Sequence, residues 1–397
     1  MGGLAAWFAG SGTQGTLFQW LITVLLAESA LRVGTAQTVA MLPGLLLIVI
    51  GGTISDRSDG RRLLVALHAL ATLPPLALAF AIARGHASYG AVVAYAVAMA
   101  VISALAIPTR DALLSRVAGP DVQRAVTLSI LLQVTSQVVG TLVAGTAALY
   151  GAPSILVFQA AANGLGAICC ARLSPAPPVE ARASGSGRLT EMLDGFAEVA
   201  RTPTLLPVTL LSASIGLLFL GSFLVAMPLV IREVYGGSSL EIAAVNGSMM
   251  VGMFAGTAGL LARGGLRRQG RALILSLVLG AAALSAVALG PPLPVVYGLI
   301  FCFGVGGGVA MPAGRTLVQE AAPPSHRARV LSVYSLGMMG SAPIGAFAMG
   351  ALVDATAPLP AMLAPGIGMA AVVVAALALS DTWRFRARGA EGEAASG

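Results

Sequence analysis

The sequence predicts an all-α membrane protein of twelve transmembrane helices, arranged as two six-helix pseudo-symmetric halves. Three observations predict it. The chain is too apolar for a soluble fold: 57% of its 397 residues are hydrophobic and only 10% are charged, against about 45–50% and about 25% in ordinary soluble domains. The apolar residues run in long unbroken stretches and do not alternate with polar ones as barrel strands do, so the spans are helical. Two segments in opposite halves also resemble each other. Such a composition excludes a soluble enzyme, a nucleic-acid-binding domain and a disordered chain.

The elements follow from the charge-free intervals 2–27, 33–55, 63–83, 85–109, 125–171, 202–231, 242–262, 272–314, 330–353 and 355–380. A spanning helix needs about 20 apolar residues. The interval 125–171 is twice that length and breaks at Tyr150-Gly151-Ala152-Pro153. The interval 272–314 breaks at Gly290-Pro291-Pro292-Leu293-Pro294. Gly/Pro clusters are turn signals, so eight single spans and two pairs make twelve helices. The polar stretch 173–203 holds Pro175, Pro177, Pro178 and a Ser/Gly run. It reads as a cytoplasmic linker carrying a short amphipathic helix at Leu189–Arg201. The expected organisation is an N-terminal six-helix bundle at 1–172, the linker at 173–203, a C-terminal six-helix bundle at 204–380 and a cytoplasmic tail at 381–397.

Orientation follows from the arginines. The chain has no Lys, and all 23 of its cationic residues are Arg. Twenty lie in loops and tails of one side, from Arg57, Arg61 and Arg62 to Arg384, Arg386 and Arg388, while the opposite side holds only Arg32, Arg84 and Arg232. By the positive-inside rule the Arg-rich side is cytoplasmic. Both termini are then cytoplasmic and the protein is a multi-pass component of the inner membrane. The net charge of +7 reflects this topology and not nucleic-acid binding. The three cysteines, Cys169, Cys170 and Cys302, all fall in spans. They form no disulfide framework or metal pattern and read as small buried hydrophobes. No cofactor, metal or catalytic constellation is visible, so an enzyme is not expected. There is no GxxxxGK[ST] loop for ATP-driven work.

The two halves look duplicated. At a constant offset of 204, Pro108 meets Pro312, Leu113 meets Leu317, Pro120 meets Pro324 and Val126 meets Val330. One residue later in register, Gly140 meets Gly345 and Gly145 meets Gly350. A six-plus-six repeat is the architecture of many secondary transporters, which rock two halves about a central site.

The loop Gly51-Gly52-Thr53-Ile54-Ser55-Asp56-Arg57-Ser58-Asp59-Gly60-Arg61-Arg62, with Pro43 before it, resembles the signature between helices 2 and 3 of the major facilitator superfamily. Pro108-Thr109-Arg110-Asp111-Ala112-Leu113-Leu114, Leu317-Val318-Gln319-Glu320-Ala321-Ala322-Pro323 and Arg327-Ala328-Arg329-Val330-Leu331-Ser332-Val333-Tyr334 resemble its enterobactin-exporter and macrolide-efflux branch. The resemblance covers essentially the whole chain. It implies that Gly52, Asp56, Arg57, Arg61, Arg62 and Arg110 form a cytoplasmic charge lock that closes one side of the transporter. A carboxylate embedded in a basic loop beside a helix N-terminus is a plausible lock on physical grounds alone. The equivalent loop in the second half puts Arg263 where Asp56 would align, so the lock is asymmetric. Helix 5 keeps only Gly140 of the drug-antiporter pattern.

An ionisable group inside the bilayer is expensive, and all sixteen acids sit in loops, tails or span ends. Glu28, Asp111 and Asp354 are the candidates for proton coupling, each weighed against a structural role. His68, near the start of helix 3, reads as a packing residue. Uncharged polar groups cluster instead: Gln14 and Gln19 in helix 1, Gln133 and Gln137 in helix 5, Gln159 and Asn163 in helix 6, and Asn246 in helix 8. Their amides either bond between helices or line a wet cavity. The resemblance implies a cavity lined by helices 1, 4, 7 and 10, which selects Gln14, Phe18 and Gln19, with Phe219 and Phe223 in helix 7. The expected function is export of an amphipathic small molecule (drug, natural product or siderophore-like) by alternating access, with protons as the coupling ion and the chain acting as a monomer. The rival readings are a lysophospholipid flippase or nutrient importer of the same fold, and a non-transporting receptor or scaffold.

Overall fold

The computed structural model describes residues 1–57, 59–117, 122–173, 188–263, 268–324 and 326–385. Side chains at 48–57, 115–117, 122–124, 126, 188–193 and 384 are outside that description. Among the described residues twelve long helices follow one another: α1 (Gly2–Trp20, continued by a π-type turn over Leu21–Leu25), α2 (Ala30–Arg57), α3 (Gly60–Ala83), α4 (Tyr89–Val117), α5 (Val122–Gly145), α6 (Ala152–Ala171), α7 (Leu205–Glu233), α8 (Ser239–Ala262), α9 (Gln269–Val287), α10 (Leu293–Ala321), α11 (Arg327–Ala355) and α12 (Pro358–Leu379). All but α1 are long and apolar enough to cross a membrane. Among the described residues there is no strand.

The helix ends obey local rules. Gly151 (φ 81°) separates α6 from the short turn Ala147–Tyr150, and Gly290 (φ 62°) lies between the end of α9 at Val287 and Pro292, which precedes α10. Both are the Gly/Pro breaks read from the sequence, and both glycines take the left-handed conformation that side chains resist. Asp59 caps α3, accepting from the backbone N–H of Arg61 at 3.0 Å and of Arg62 at 3.4 Å. Glu241 accepts from the Ser238 N–H at 2.7 Å, the reach-back contact of a capping box. The linker helix spans Arg188–Arg201. The repeated pair of helices outruns the charge-free intervals: α4 runs on through Val117 and α10 through Ala321, so Asp111 lies within its helix and does not follow it. Helical hydrogen bonding continues past the point where the residues become charged, because Arg, Asp, Ala and Leu are all tolerated in a helix.

The duplication is visible in the helices themselves. α4 and α10 are both 29 residues long, with Pro108 and Pro312 inside them. Their first residues, Tyr89 and Leu293, are offset by the same 204 positions as the prolines.

By internal contacts the chain divides into two units. Unit 1 comprises Met1–Ser29, Val39–Ala183 and Gly236–Gly247, and unit 2 comprises Ala30–Thr38, Ser184–Tyr235 and Ser248–Gly397. The first nine residues of α2 therefore belong to unit 2 and the first nine of α8 to unit 1.

In unit 1, α1 packs on α5 and α6, and α3 packs on α4 and α6. Lipid is as apolar as leucine, so close van der Waals contact and interhelical hydrogen bonds must hold the helices together. Glycine allows that contact. A Cβ on Gly12 would run into the Gln137 carbonyl, and one on Gly140 into the Ala9 carbonyl. Thr13 fixes the crossing by donating to the Gly140 carbonyl at 3.1 Å. In unit 2, α7 packs on α11 and α9 packs on α10 and α12. The α7–α11 crossing repeats the α1–α5 one: Gly216 meets the Met338 carbonyl, Gly345 meets the Leu217 carbonyl, and Ser341 donates to the Ala213 carbonyl at 2.6 Å. The Gly304–Gly308 run is a packing surface. Gly304 and Gly308 lie against the Met249 and Met253 carbonyls of α8, and Gly306 lies against the Ser276 carbonyl of α9.

Candidate functional site

Unit 1 gathers a set of uncharged polar groups on the second half of α1. The Asn246 amide of α8 donates to Thr16 Oγ1 at 3.1 Å and to Gln19 Oε1 at 3.0 Å. Thr16 is 2% exposed and Gln19 4%, so this is a bond network buried between helices. Phe18 is buried beside it. Gln14 is half-buried on a different face of α1, next to the open position at Gly15. Gln133 and Gln137 are half-buried on α5. The two α6 amides point into the bundle. Asn163 donates to the Ala71 carbonyl at 3.0 Å, and Gln159 accepts from the Tyr95 hydroxyl at 2.6 Å. Of the expected cavity residues in this unit, then, Gln19, Asn163 and Asn246 have protein partners that hold helices together.

His68 is buried at the junction of α1, α3 and α6. Its ring packs on Trp7 with centroids 4.9 Å apart, Nδ1 lies 2.8 Å from the Leu64 carbonyl, and Gly166 leaves room for it.

Unit 2 supplies an aromatic cluster. Phe303 of α10 meets Phe219 edge-on at 5.4 Å and stacks near-parallel on Phe223 at 5.9 Å. Both geometries are favourable for aromatic pairs. Phe219 and Phe223 were expected from the resemblance, which implies that helix 7 lines the cavity; Phe303 was not, and only the fold brings it between them. The α7 backbone here is π-type over Ile215–Leu220 and Ser222–Ala226. α1 carries its own π-type turn at Leu21–Leu25. Such turns are frequent at functional sites.

The charge-lock residues separate into two groups. Gly52, Asp56 and Arg57 stand in the last turns of α2, and their side chains lie outside the described residues. The other three have partners nearby. Arg61 donates to the Ala171 carbonyl at the end of α6. Arg62 pairs with Asp59 at 3.4 Å, with its side chain largely in solvent. Arg110 donates to Asp111 at 2.7 Å and 2.9 Å and lies over the Phe8 ring at 4.8 Å. An exposed pair such as Arg62–Asp59 contributes about 0–1 kcal/mol.

The three proton-coupling candidates have these surroundings. Asp111 is bound by Arg110. Glu28 is half-buried in the turn between α1 and α2. The Asp354 carboxylate accepts from the backbone N–H of Ala30 at 2.9 Å and of Leu31 at 3.1 Å. It therefore caps α2 from the end of α11. Sequence reasoning also missed the Asp59 cap, although Asp-Gly-Arg-Arg before an apolar run is a readable start signal. It missed the ion pair of Asp194 with Arg329 at 3.2 Å, which joins the linker helix to α11.

No curated protein matches the chain. Solved structures do, at low identity. The nucleoside transporter NupG aligns with a TM-score of 0.72 and 15% identity over 95% of this chain and 97% of that one. The xylose transporter XylE from E. coli aligns with a TM-score of 0.71 and 13% identity over 98% and 95%. A bacterial homologue of the human lysosomal transporter Spinster, inward-facing and unoccupied, aligns with a TM-score of 0.69 and 14% identity over 96% and 95%. At such identity the likeness shows the fold alone. The sequence profile described as Major Facilitator Superfamily matches residues 1–342 and 268–395. With that match spanning nearly the whole chain, the protein belongs to the Major Facilitator Superfamily: it is a multi-pass membrane transporter for a small molecule, and not an enzyme.

Proposed function

We propose that the chain exports an uncharged or amphipathic small molecule (drug, natural product or siderophore-like) from the cytoplasm by alternating access, driven by proton antiport. It sits in the inner membrane as a monomer with both termini cytoplasmic. One observation carries the substrate class. Among the described residues no Asp, Glu or Arg is buried as a whole residue, although single atoms of Arg110 and Glu320 are shut off from solvent; the buried polar residues are Ser, Thr, Asn and Gln and His68. A charged ligand leaving water needs a fixed counter-charge to replace its hydration. A neutral one needs only hydrogen bonds and apolar contact. The hydroxyls and amides of α1 and, separately, the Phe219–Phe223–Phe303 cluster are groups of that kind. The arginine asymmetry supports cytoplasmic termini. Closure by Asp56 with Arg57, Arg61, Arg62 and Arg110 on the cytoplasmic side is part of the same reading.

A second reading is uptake of a neutral nutrient. The same charge-free interior suits it, and two of the similar structures are named for neutral substrates, a nucleoside and xylose. Lysophospholipid flipping is the third.

Proteoliposomes with a trapped pH-sensitive dye test the proposal. An imposed proton gradient is followed while lipophilic cations, macrolides, siderophores and lysolipids are added in turn. One class should dissipate the gradient in the native protein and fail to do so in Asp56→Asn. If no class does, antiport of these compounds is wrong, and direct uptake of nucleosides and sugars becomes the next assay.

A further inference from the structure

At one end of unit 2, α9 and α10 place an amide against a carboxylate. Gln269 opens α9 and Glu320 stands in the last turn of α10. Gln269 Nε2 donates to Glu320 Oε1 at 3.0 Å. A carboxylate can only accept, so this bond fixes which way the amide is turned. Two atoms are left over. Gln269 Oε1 and Glu320 Oε2 are both shut off from solvent, and neither has a hydrogen-bond partner. Gln269 as a whole is 3% exposed.

Two buried acceptors in one pair, with no donor for either, is an expensive arrangement. The surroundings do not relieve it. Arg271 of α9 lies over the Trp383 ring at 5.2 Å. Arg329 of α11 is held by Asp194. Arg263 after α8, Arg268 before α9, Arg315 of α10, His326 at the start of α11, Arg327 and Tyr334 within it and Asp381 after α12 are the other described titratable or charged groups around the pair, and none bonds either orphaned oxygen. The Thr382 hydroxyl is engaged with Ser380 at 2.8 Å.

A single proton resolves both orphans. In a carboxylic acid–primary amide pair the amide N–H donates to the acid carbonyl, and the acid O–H donates to the amide carbonyl. The first of those two bonds is present, and a proton on Glu320 Oε2 would supply the donor that the two orphaned oxygens lack. We propose that Glu320 is a proton-binding site, its proton shared with the Gln269 carbonyl in a cyclic acid–amide pair, and that this is the proton exchanged during transport. The first half of that statement stands on the pair alone. The second rests on the antiport reading above. The bound form is neutral, which suits a site between packed helices.

The test has two arms. Infrared spectra of the full-length protein in membranes, recorded in water and in deuterium oxide, are compared with those of Glu320→Gln. That variant keeps the pair as a neutral amide–amide couple without the titratable proton. The native protein should show a carboxylic acid C=O band that is absent in Glu320→Gln and displaced in Gln269→Leu. Identical spectra for native protein and Glu320→Gln overturn the site. In the second arm, proton-driven flux in Glu320→Gln should fall to the background of empty liposomes, while substrate exchange without a gradient persists. Unchanged proton-driven flux overturns the coupling role. A native protein with the acid band but no proton-driven flux for any compound would instead refute the antiport reading and leave the proton site standing.

Discussion

The Asp354 carboxylate lies 2.9 Å from the backbone nitrogen of Ala30, so the end of α11 supplies the cap for the start of α2. The first N–H groups of a helix have no partner within it, and an acid at that end also meets the positive pole of the helix dipole. Asp354→Ala should therefore lower stability by about 0.5–2 kcal/mol, and Asp354→Asn by less. Thermal unfolding in detergent would check the ranking. Equal melting of native protein and Asp354→Ala would show that water caps α2 as well as Asp354 does.

Glycine at the α1–α5 crossing is required by space. A Cβ on Gly140 collides with the Ala9 backbone, which cannot turn aside as a side chain would. Gly140→Ala should cost about 1–3 kcal/mol by overpacking. Gly298 has open space around its Cα, and Gly298→Ala should be neutral or slightly stabilising because alanine favours helix. Comparable losses from both would place the cost in helix propensity and not in the crossing.

The Gln19–Asn246 bond is measurable as a coupling energy. Hydrogen bonds between membrane helices contribute about 0.6 kcal/mol on average. A double-mutant cycle of Gln19→Leu and Asn246→Leu should give about that value or somewhat more, because Thr16 shares the same amide. Additive losses would mean that the bond does not hold α1 to the start of α8.

Phe303 joins two rings that would otherwise face a gap. Phe303→Ala should destabilise by about 1–3 kcal/mol, the sum of two aromatic contacts, while Phe303→Leu keeps most of the volume and should cost less. The same pair of variants in the flux assay separates packing from recognition. If the cluster contacts substrate, Phe303→Leu raises KM although the protein is stable.

Tyr235 lies outside the spans and donates to the Pro291 carbonyl at 2.5 Å. Burial pushes its phenol above the ordinary range. The folded protein therefore holds this proton more tightly than the unfolded chain does. The bond's contribution is complete below about pH 10, the unfolded value, and is lost as the pH rises through the folded value. Melting temperature should fall less steeply above about pH 10 in Tyr235→Phe than in the native protein; parallel curves would refute the link.

The chain's own residues determined the number of helices, their breaks and their duplication. Hydropathy, a Gly-Pro cluster at 290–294 or the 204-residue offset of Pro108 and Pro312 are properties that a local segment carries wherever it sits. Which groups meet was decided only by the tertiary structure. Asn246 can as well line a cavity as bond Gln19 until the rotation of α8 about its axis is known. Asp354 reads as either a structural or a proton-coupling acid at a span end, and only the fold brings it, at the end of α11, to the Ala30 N–H of α2, 324 residues away in sequence. Glu320 reads as part of a loop motif until α9 brings Gln269 beside it. The physical reason is common to all three. A helix that faces lipid on one side and apolar neighbours on the other carries almost no amphipathic signal. Its sequence says that it spans, but the packing of glycines and the few buried amides sets which way it faces.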